Sequence, residues 1–556
     1  MRQPLVLLAF AVAALPARSD EKVDLATVHR IKVEAFQNGK VSDLLFWLTD
    51  ANGPRLTNSP GHRAAANWAM QTLKGWGASN PHLELWGPFG RGWSVTHFSA
   101  HLLEPAYAPL GGSPKAWCGG TSGAATGGVV LAPLLARAED DERWDLGKLQ
   151  AHIVRYAQEQ KGKLGGRFVL LDPIRELDLP KEVASQRLDD ARLAQLLAAP
   201  EPRPVAPLEW PIAKLPAEPK KRWEFLETLP IEAGEEWWER RQRTWDPLWA
   251  FLRSEGVLGV FTTDTRGDGG IVFAENAGAW DPKRPAVPPV VALAPEHYNR
   301  LVRLSEHKIP VKVELDLAVR VEEESLDGFN VVADLPGGKK KDEVVMLGAH
   351  LDSWHAGTGA TDNAAGAAVV MEAFRILKVL GLPLDRTVRL ALWGGEEQGL
   401  LGSRAYVKAH FGDSVTMALK PEHAKLAAYF NVDNGSGKIR GVWLQGNDMV
   451  RPIFEQWLVP FRDMGATALS IRDTGGTDHQ SFDSVGLPGF QFIQDPLDYM
   501  SRTHHSDLDV YDHAQASDLQ QAAAIVALFA YSAANRPDML PRKPLPRPLP
   551  PKKTAP

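Results

Sequence analysis

The chain has 556 residues, a net charge of −6 and a sequence pI of about 6.3. This length exceeds what one hydrophobic core normally organises, so we expect two or more domains. The small negative charge gives no reason to expect nucleic acid or an anionic membrane surface as a partner. Cys118 is the one cysteine of the sequence, which excludes an intramolecular disulfide, and no catalytic signature surrounds it.

The N-terminus has the pattern of a secretory signal peptide. Arg2 supplies positive charge, residues 5–15 form an apolar core, and the sequence Ala17-Arg18-Ser19 is a small-x-small cleavage site. The apolar core is too short to span a bilayer. We therefore expect residues 1–19 to be removed and the protein to be secreted or periplasmic. The alternative is a buried N-terminal helix.

The next two segments differ in composition and in predicted secondary structure. Residues 20–116 predict the N-terminal part of a catalytic α/β domain, because apolar side chains recur at helical spacing and residues 83–86 form a short apolar strand. Residues 117–318 combine Gly-rich turns, short apolar strands and long charged stretches, which predict an inserted β-rich domain with a helical insertion. Its segment WWERRQRTWDPLW indicates an amphipathic helix packed on the domain, or alternatively a substrate lid.

Residues 319–535 predict a second α/β part with polar side chains at its strand ends. His350 and Asp352 follow the apolar strand at residues 344–347, and strand geometry points both to one side. A second apolar strand at residues 388–393 is followed by two adjacent glutamates, Glu396 and Glu397. Open parallel sheets bind ligands at the carboxyl edge of their strands, so we expect a site there.

A helix lies between these two strands, and Asp362 and Asn363 stand where it begins. Both are good N-cap residue types. Histidine and carboxylates are also zinc ligands, and of two adjacent glutamates one can bind metal while the other acts as general base. The residues alone leave a second interpretation open, in which Asp362 is only a helix cap and the glutamates are solvated loop charges. After the domain, residues 536–556 form a Pro-rich tail, extended or disordered.

Taken together, the motifs HLDS, GATDNAAG, WGGEEQGLLGSRAY, NVDNGSG, TDHQSF and HHSDLD resemble the co-catalytic zinc exopeptidases of metallopeptidase family 28. The carboxypeptidase Q branch is the most similar. The resemblance implies an aminopeptidase-like α/β/α sandwich with a mixed, largely parallel sheet, and it likens residues 117–318 to a protease-associated domain. It also implies hydrolysis of short peptides or dipeptides.

The resemblance implies two zinc ions per chain. His350 and Asp433 would hold one ion, and Glu397 and His505 would hold the other. Asp362 would bridge both.

The same resemblance implies roles for neighbouring residues. Glu396 would be the general base and Asp352 would orient the ring of His350. His504 is an alternative ligand to His505, which the family pattern favours because Ser506 and Asp509 follow it at the expected spacing.

Substrate contacts are less defined. Asp478 and His479 occupy the position of a loop near the substrate, and Arg472, Arg502 and Arg404 are candidates to bind a substrate carboxylate. The sequence leaves open whether the enzyme is an aminopeptidase, a carboxypeptidase or a dipeptidase, and it leaves the oligomeric state open, a homodimer included. Two other functions remain as alternatives, a single-zinc glutaminyl cyclase and a non-catalytic peptidase-like ectodomain.

Overall fold

The computed structural model describes residues 21–136, 141–177, 183–201, 208–226 and 228–552. The predicted signal peptide, residues 1–19, lies outside these ranges. In the part of the chain so described, no helix is long and apolar enough to cross a membrane.

An eight-stranded mixed sheet forms the centre of the molecule, in the order β1-β10-β12-β11-β15-β18-β16-β17. Its strands are β1 Ser79–Trp86, β10 Gly328–Leu335, β11 Lys340–His350, β12 Arg386–Trp393, β15 Leu426–Asn431, β16 Ile439–Trp443, β17 Ala468–Ser470 and β18 Gly489–Gln494. The four central strands β12, β11, β15 and β18 are parallel, whereas β1 and β10 pair antiparallel at one edge.

Helices cover both faces of this sheet, and other helices of the chain pack against the second sheet described below. The described α-helices are α1 Leu25–Gln37, α2 Val41–Leu48, α3 Pro60–Gly75, α4 Leu146–Gln160, α5 Asp190–Leu197, α6 Pro219–Leu226, α7 Ile231–Ser254, α8 Pro295–Glu306, α9 Ala365–Val379, α10 Leu401–His410, α11 Arg451–Leu458, α12 His479–Asp483 and α13 Ala516–Asn535. Strand alternation in β11 sends Val345 and Leu347 into the core formed with α9 and α13, and sends Met346 to the opposite face, where α10 and α12 pack. The predicted α/β/α architecture is confirmed.

A second eight-stranded sheet is built from the middle of the chain, in the order β3-β2-β9-β5-β6-β7-β8-β4. Its strands are β2 Gly92–Glu104, β3 Ala108–Pro109, β4 Gly112–Pro114, β5 Ala125–Leu131, β6 Phe168–Leu170, β7 Gly259–Thr262, β8 Val290–Leu293 and β9 Lys312–Glu322. A minor two-stranded sheet pairs β13 Gly412–Asp413 with β14 Ala418–Leu419. The predicted divisions at residues 116/117 and 318/319, and the likeness of the insert to a protease-associated domain, stay predictions.

Residues 87–327, which carry the second sheet, leave and re-enter the central sheet between two paired residues. Trp86, the last residue of β1, pairs with Gly328, the first residue of β10, so the chain leaves and re-enters the sheet through opposed neighbours. The Trp86 indole lies over Gly328 so closely that a Cβ there would be 2.4 Å from a ring carbon, which excludes any larger residue.

The Pro-rich C-terminal segment has neither helix nor strand over residues 536–552, and it lies against the protein body. Leu540 is buried in the main core, and Lys543 forms an ion pair with Asp483 at 2.7 Å. Lys552 reaches Glu236 of α7 at 2.9 Å. The segment therefore runs from the end of α13 to the helical part of the insert.

Candidate metal centre

Three neighbouring parallel strands bring the polar residues to one edge of the central sheet. His350 is the last residue of β11, the pair Glu396 and Glu397 follows β12, and Asp433 follows β15. Because β12, β11 and β15 are adjacent and parallel, their carboxyl ends meet at the same edge, as the sequence predicted. All four side chains are buried or nearly so.

The imidazole of His350 faces three carboxylates. Its Nε2 lies 3.2 Å from Oδ1 of Asp362, 3.5 Å from Oδ2 of Asp433 and 3.9 Å from Oε2 of Glu396. Its Nδ1 donates to the main-chain carbonyl of Asp352 at 2.9 Å. This hydrogen bond fixes the ring so that Nε2 is the nitrogen presented to the carboxylates.

Asp362 lies in a tight turn, Ala360–Ala364, that leads into α9. Asn363 performs the capping, since its Oδ1 accepts from the main-chain N–H of Gly366 at 2.9 Å. The Asp362 side chain is therefore not needed as a cap. Asp509 holds the turn from behind, accepting from the N–H of Thr361 at 2.6 Å and from that of Asp362 at 3.3 Å.

Asp362 joins the two histidines. Its Oδ1 faces His350, and its Oδ2 lies 3.3 Å from Nε2 of His505. Nε2 of His505 is also 3.1 Å from Oε2 of Glu397. One carboxylate thus lies between a His–Asp pair and a His–Glu pair.

His504 stacks on His505 with ring centroids 3.7 Å apart. Its Nε2 is 3.9 Å from Oδ2 of Asp362, and burial lowers its pKa to about 3. Asp362, His504 and His505 can also be grouped around one ion. His505, however, faces two carboxylates within 3.3 Å, so the geometry favours it as the ligand.

Asp352 connects the histidine to the glutamates. Its carboxylate accepts from the hydroxyl of Thr57 at 2.7 Å and from the main-chain N–H groups of Glu396 at 3.2 Å and Glu397 at 3.3 Å. That carboxylate is 3.8 Å from Nδ1 of His350, so the hydrogen bond to the ring comes from the Asp352 main chain instead. Asp352 therefore fixes the positions of both glutamates as well as the ring.

The electrostatics of the cluster fit bound cations. Burial, with the nearby charges of Asp433, Asp478 and Glu397, raises the pKa of Glu396 well above its usual value. Burial and then the charge of Asp362 raise the pKa of Glu397 to about 8. Such a concentration of buried carboxylates is stable when metal ions compensate it, and Asp and Glu oxygens with imidazole nitrogens are a zinc donor set.

The predicted substrate residues lie in different surroundings. Asp478 is fully buried, no hydrogen bond to its carboxylate oxygens is found within the described residues, and burial raises its pKa to about 8. His479 contacts the main-chain carbonyl of Thr474 at 3.0 Å through Nε2, and burial lowers its pKa to about 4. Both lie at the start of α12, and their roles stay predictions.

The predicted arginines contact main-chain carbonyls or lie at the surface. Arg472 donates to the main-chain carbonyl of Ala198 at 3.0 Å, next to α5, and Arg404 donates to that of Gly399 at 3.2 Å. Arg502 is exposed beside the histidine pair. Contact of any of them with a substrate carboxylate stays a prediction.

Sequence reasoning missed four residues that shape the site. Thr57 binds Asp352, the N–H of Trp354 donates to Oε1 of Glu397 at 3.2 Å, and Oε1 of Glu275 lies 2.8 Å from Nδ1 of His505. Arg55 holds the loop after β11. Trp354 is next to a recognised motif, which is a usable signal. Arg55 and Thr57 lie in the segment LTDANGPRLTNSP, which also resembles the carboxypeptidase Q branch, although the segment does not show what they bind. Glu275 comes from a distant segment and carries no local pattern.

Proteins of known class are similar to this chain in sequence. The sequence model of peptidase family M28 matches residues 330–530. Carboxypeptidase Q of Rattus norvegicus is 31% identical over 254 residues, which cover 46% of this chain and 51% of that protein. Aminopeptidase YwaD of Bacillus subtilis (strain 168) is 28% identical over 211 residues, covering 36% of this chain and 43% of that protein. The chain thus matches about half the length of these curated relatives.

Solved structures share the fold over nearly the whole chain. A peptidase M28 precursor from Shewanella amazonensis SB2B superposes with a TM-score of 0.62 at 23% identity, covering 94% of this chain and 98% of that one. BSAP, a zinc aminopeptidase from Bacillus subtilis, gives a TM-score of 0.51 at 16% identity, covering 90% of this chain and 96% of that one. These likenesses show the fold.

Proposed function

Because the sequence model of peptidase family M28 matches residues 330–530, we propose that the chain is a zinc-dependent exopeptidase of this family that hydrolyses short peptides or dipeptides. We assign two zinc ions, one to His350 and Asp433 and one to Glu397 and His505, with Asp362 shared by both. The observation that carries the proposal is the position of Asp362, whose two oxygens lie 3.2 and 3.3 Å from histidines of the two pairs.

Glu396 is the proposed general base. It is the glutamate of the pair that faces His350 at 3.9 Å rather than His505, and its backbone is fixed by the carboxylate of Asp352. Zinc, when bound, lowers the pKa of water and polarises a peptide carbonyl. Glu396 Oε2 would take the proton from the attacking water and deliver it to the leaving nitrogen.

The test is hydrolysis of a dipeptide panel with free, N-blocked and C-blocked ends, measured with zinc and with a chelator. We expect turnover that the chelator abolishes and zinc restores. A need for the free amine alone identifies an aminopeptidase, and a need for the free carboxylate as well identifies a dipeptidase. Absence of hydrolysis across the panel with zinc present would refute the proposal.

We also propose that the protein is exported. The support is the positive, apolar and small-residue pattern of residues 1–19. The N-terminus of the mature protein, determined by Edman sequencing or mass spectrometry, is expected at Asp20.

A further inference from the structure

A side chain of the inserted unit, Glu275, reaches the proposed metal centre. It lies between β7 and β8 of the second sheet, and its Oε1 is 2.8 Å from Nδ1 of His505. The two residues are 230 positions apart in the chain. The metal-facing nitrogen of the same ring, Nε2, is directed at Asp362 and Glu397.

The backbone around this contact is paired, so its geometry does not depend on the side chains alone. Phe273 and Ser506 form an antiparallel bridge. The N–H of Ala274 donates to the carbonyl of His505 at 3.2 Å, and the N–H of Asp507 donates to the carbonyl of Val272 at 3.0 Å. The insert segment and the histidine loop are thus held in register.

Glu275 is itself held in place from behind. Arg266 donates to Oε1 of Glu275 at 3.0 Å and to Oδ1 of Asp264 at 3.0 Å. The guanidinium of Arg266 also lies over the ring of Phe273, 4.5 Å from its centroid. The carboxylate is therefore paired with a cation on one side and the imidazole on the other.

The two ligand histidines differ in how their second nitrogen is held. His350 donates from Nδ1 to a main-chain carbonyl of its own loop. The partner of the second nitrogen of His505 is instead a carboxylate from the connection between β7 and β8. A carboxylate accepting from the far nitrogen fixes the tautomer and makes the metal-binding nitrogen more basic. We propose that Glu275 is a positioning residue for the metal ligand His505, so that the insert completes the metal position of Glu397 and His505. This inference rests on the proposed zinc site.

Zinc affinity of the full-length protein tests the inference directly, measured by competition with a chromophoric chelator. Glu275→Ala should lower the affinity for one of the two zinc ions by about 10- to 100-fold and leave the affinity for the other unchanged. Glu275→Gln keeps an acceptor oxygen but loses the charge, so we expect a smaller loss of about 3- to 10-fold. This graded rescue would not follow from a purely structural role.

Glu84→Gln is the matched control. Oε1 of Glu84 lies 2.8 Å from Nε2 of His410, so the same change breaks an equally short Glu–His contact elsewhere, and both zinc affinities should stay at the wild-type value. If Glu275→Ala does not fold, Glu275→Gln decides. A loss of zinc affinity below about three-fold in that variant overturns the inference. If wild type binds two ions and both Glu275 variants match it, the inference alone fails. If wild type binds no zinc, the proposed function fails with it.

Discussion

Replacing Arg55 with methionine should destabilise the fold through a loop that precedes the metal centre. Arg55 is completely buried, and its guanidinium donates to four main-chain carbonyls over 2.6–2.8 Å: those of Leu351, Leu48, Thr358 and Gly359. Three of these carbonyls belong to the loop between β11 and the Asp362 turn. The guanidinium therefore acts as the internal support of that loop.

The size of the effect follows from two opposing contributions. Four hydrogen bonds from a charged donor, at about 1.5 kcal/mol each, contribute about 6 kcal/mol. Burial lowers the pKa of Arg55 to about 10 from 12.5, a cost of about 3 kcal/mol at 1.36 kcal/mol per pH unit, which methionine does not incur. The expected net loss in the free energy of unfolding is about 3 kcal/mol.

Urea denaturation of the chelator-treated proteins measures this loss. Arg243→Met serves as the control, because Arg243 is 55% exposed and pairs with Glu239 on the surface of α7, so its change should stay below about 0.5 kcal/mol. A loss below about 1 kcal/mol for Arg55→Met would show that the loop carbonyls find other donors, and the reasoning would be refuted.

Three further outcomes are expected. Glu396→Gln should lower kcat by about 100- to 10,000-fold with zinc content retained, and unchanged turnover would remove Glu396 from the base role. His350→Ala should lower zinc content by elemental analysis, whereas full occupancy would contradict its assignment as a ligand. Burial raises the pKa of Cys118 to about 12, so at pH 8 the thiol stays protonated. A thiol reagent should accordingly modify it only in denaturant, and rapid labelling of the native protein would contradict this.

The strand ends could be predicted because their signals are local. The apolar run before His350 and the run before Glu396 specify strands β11 and β12, and their parallel pairing places both ends at one edge. Asp362 and Asn363 were both predicted as possible caps, and the structure divides the roles, with Asn363 capping and Asp362 facing the histidines. Local pattern cannot make that division, since both side chains have the same reach.

The contacts of the supporting residues could not be predicted, because each is an ordinary residue type made important by a distant partner. Thr57 meets Asp352 across 295 positions, and Arg55 meets Gly359 across 304. Glu275 lies in a segment without helix or strand pattern, and only the pairing of Phe273 with Ser506 brings it to His505. Such contacts depend on how segments far apart in the chain pack together, which one sequence does not reveal.

The pairing of Trp86 with Gly328 has a consequence for how this chain folds and varies. Residues 87–327 form a closed loop whose two ends adjoin opposed residues of one antiparallel strand pair. The entropy lost in closing such a loop grows only with the logarithm of its length, so the number of residues in it adds little to the cost of closure. The junction lies at the same edge of the sheet as the metal ligands, because Val331 near the start of β10 pairs with Leu392 near the end of β12. A segment that leaves the sheet there can therefore reach the ligands, as Glu275 reaches His505.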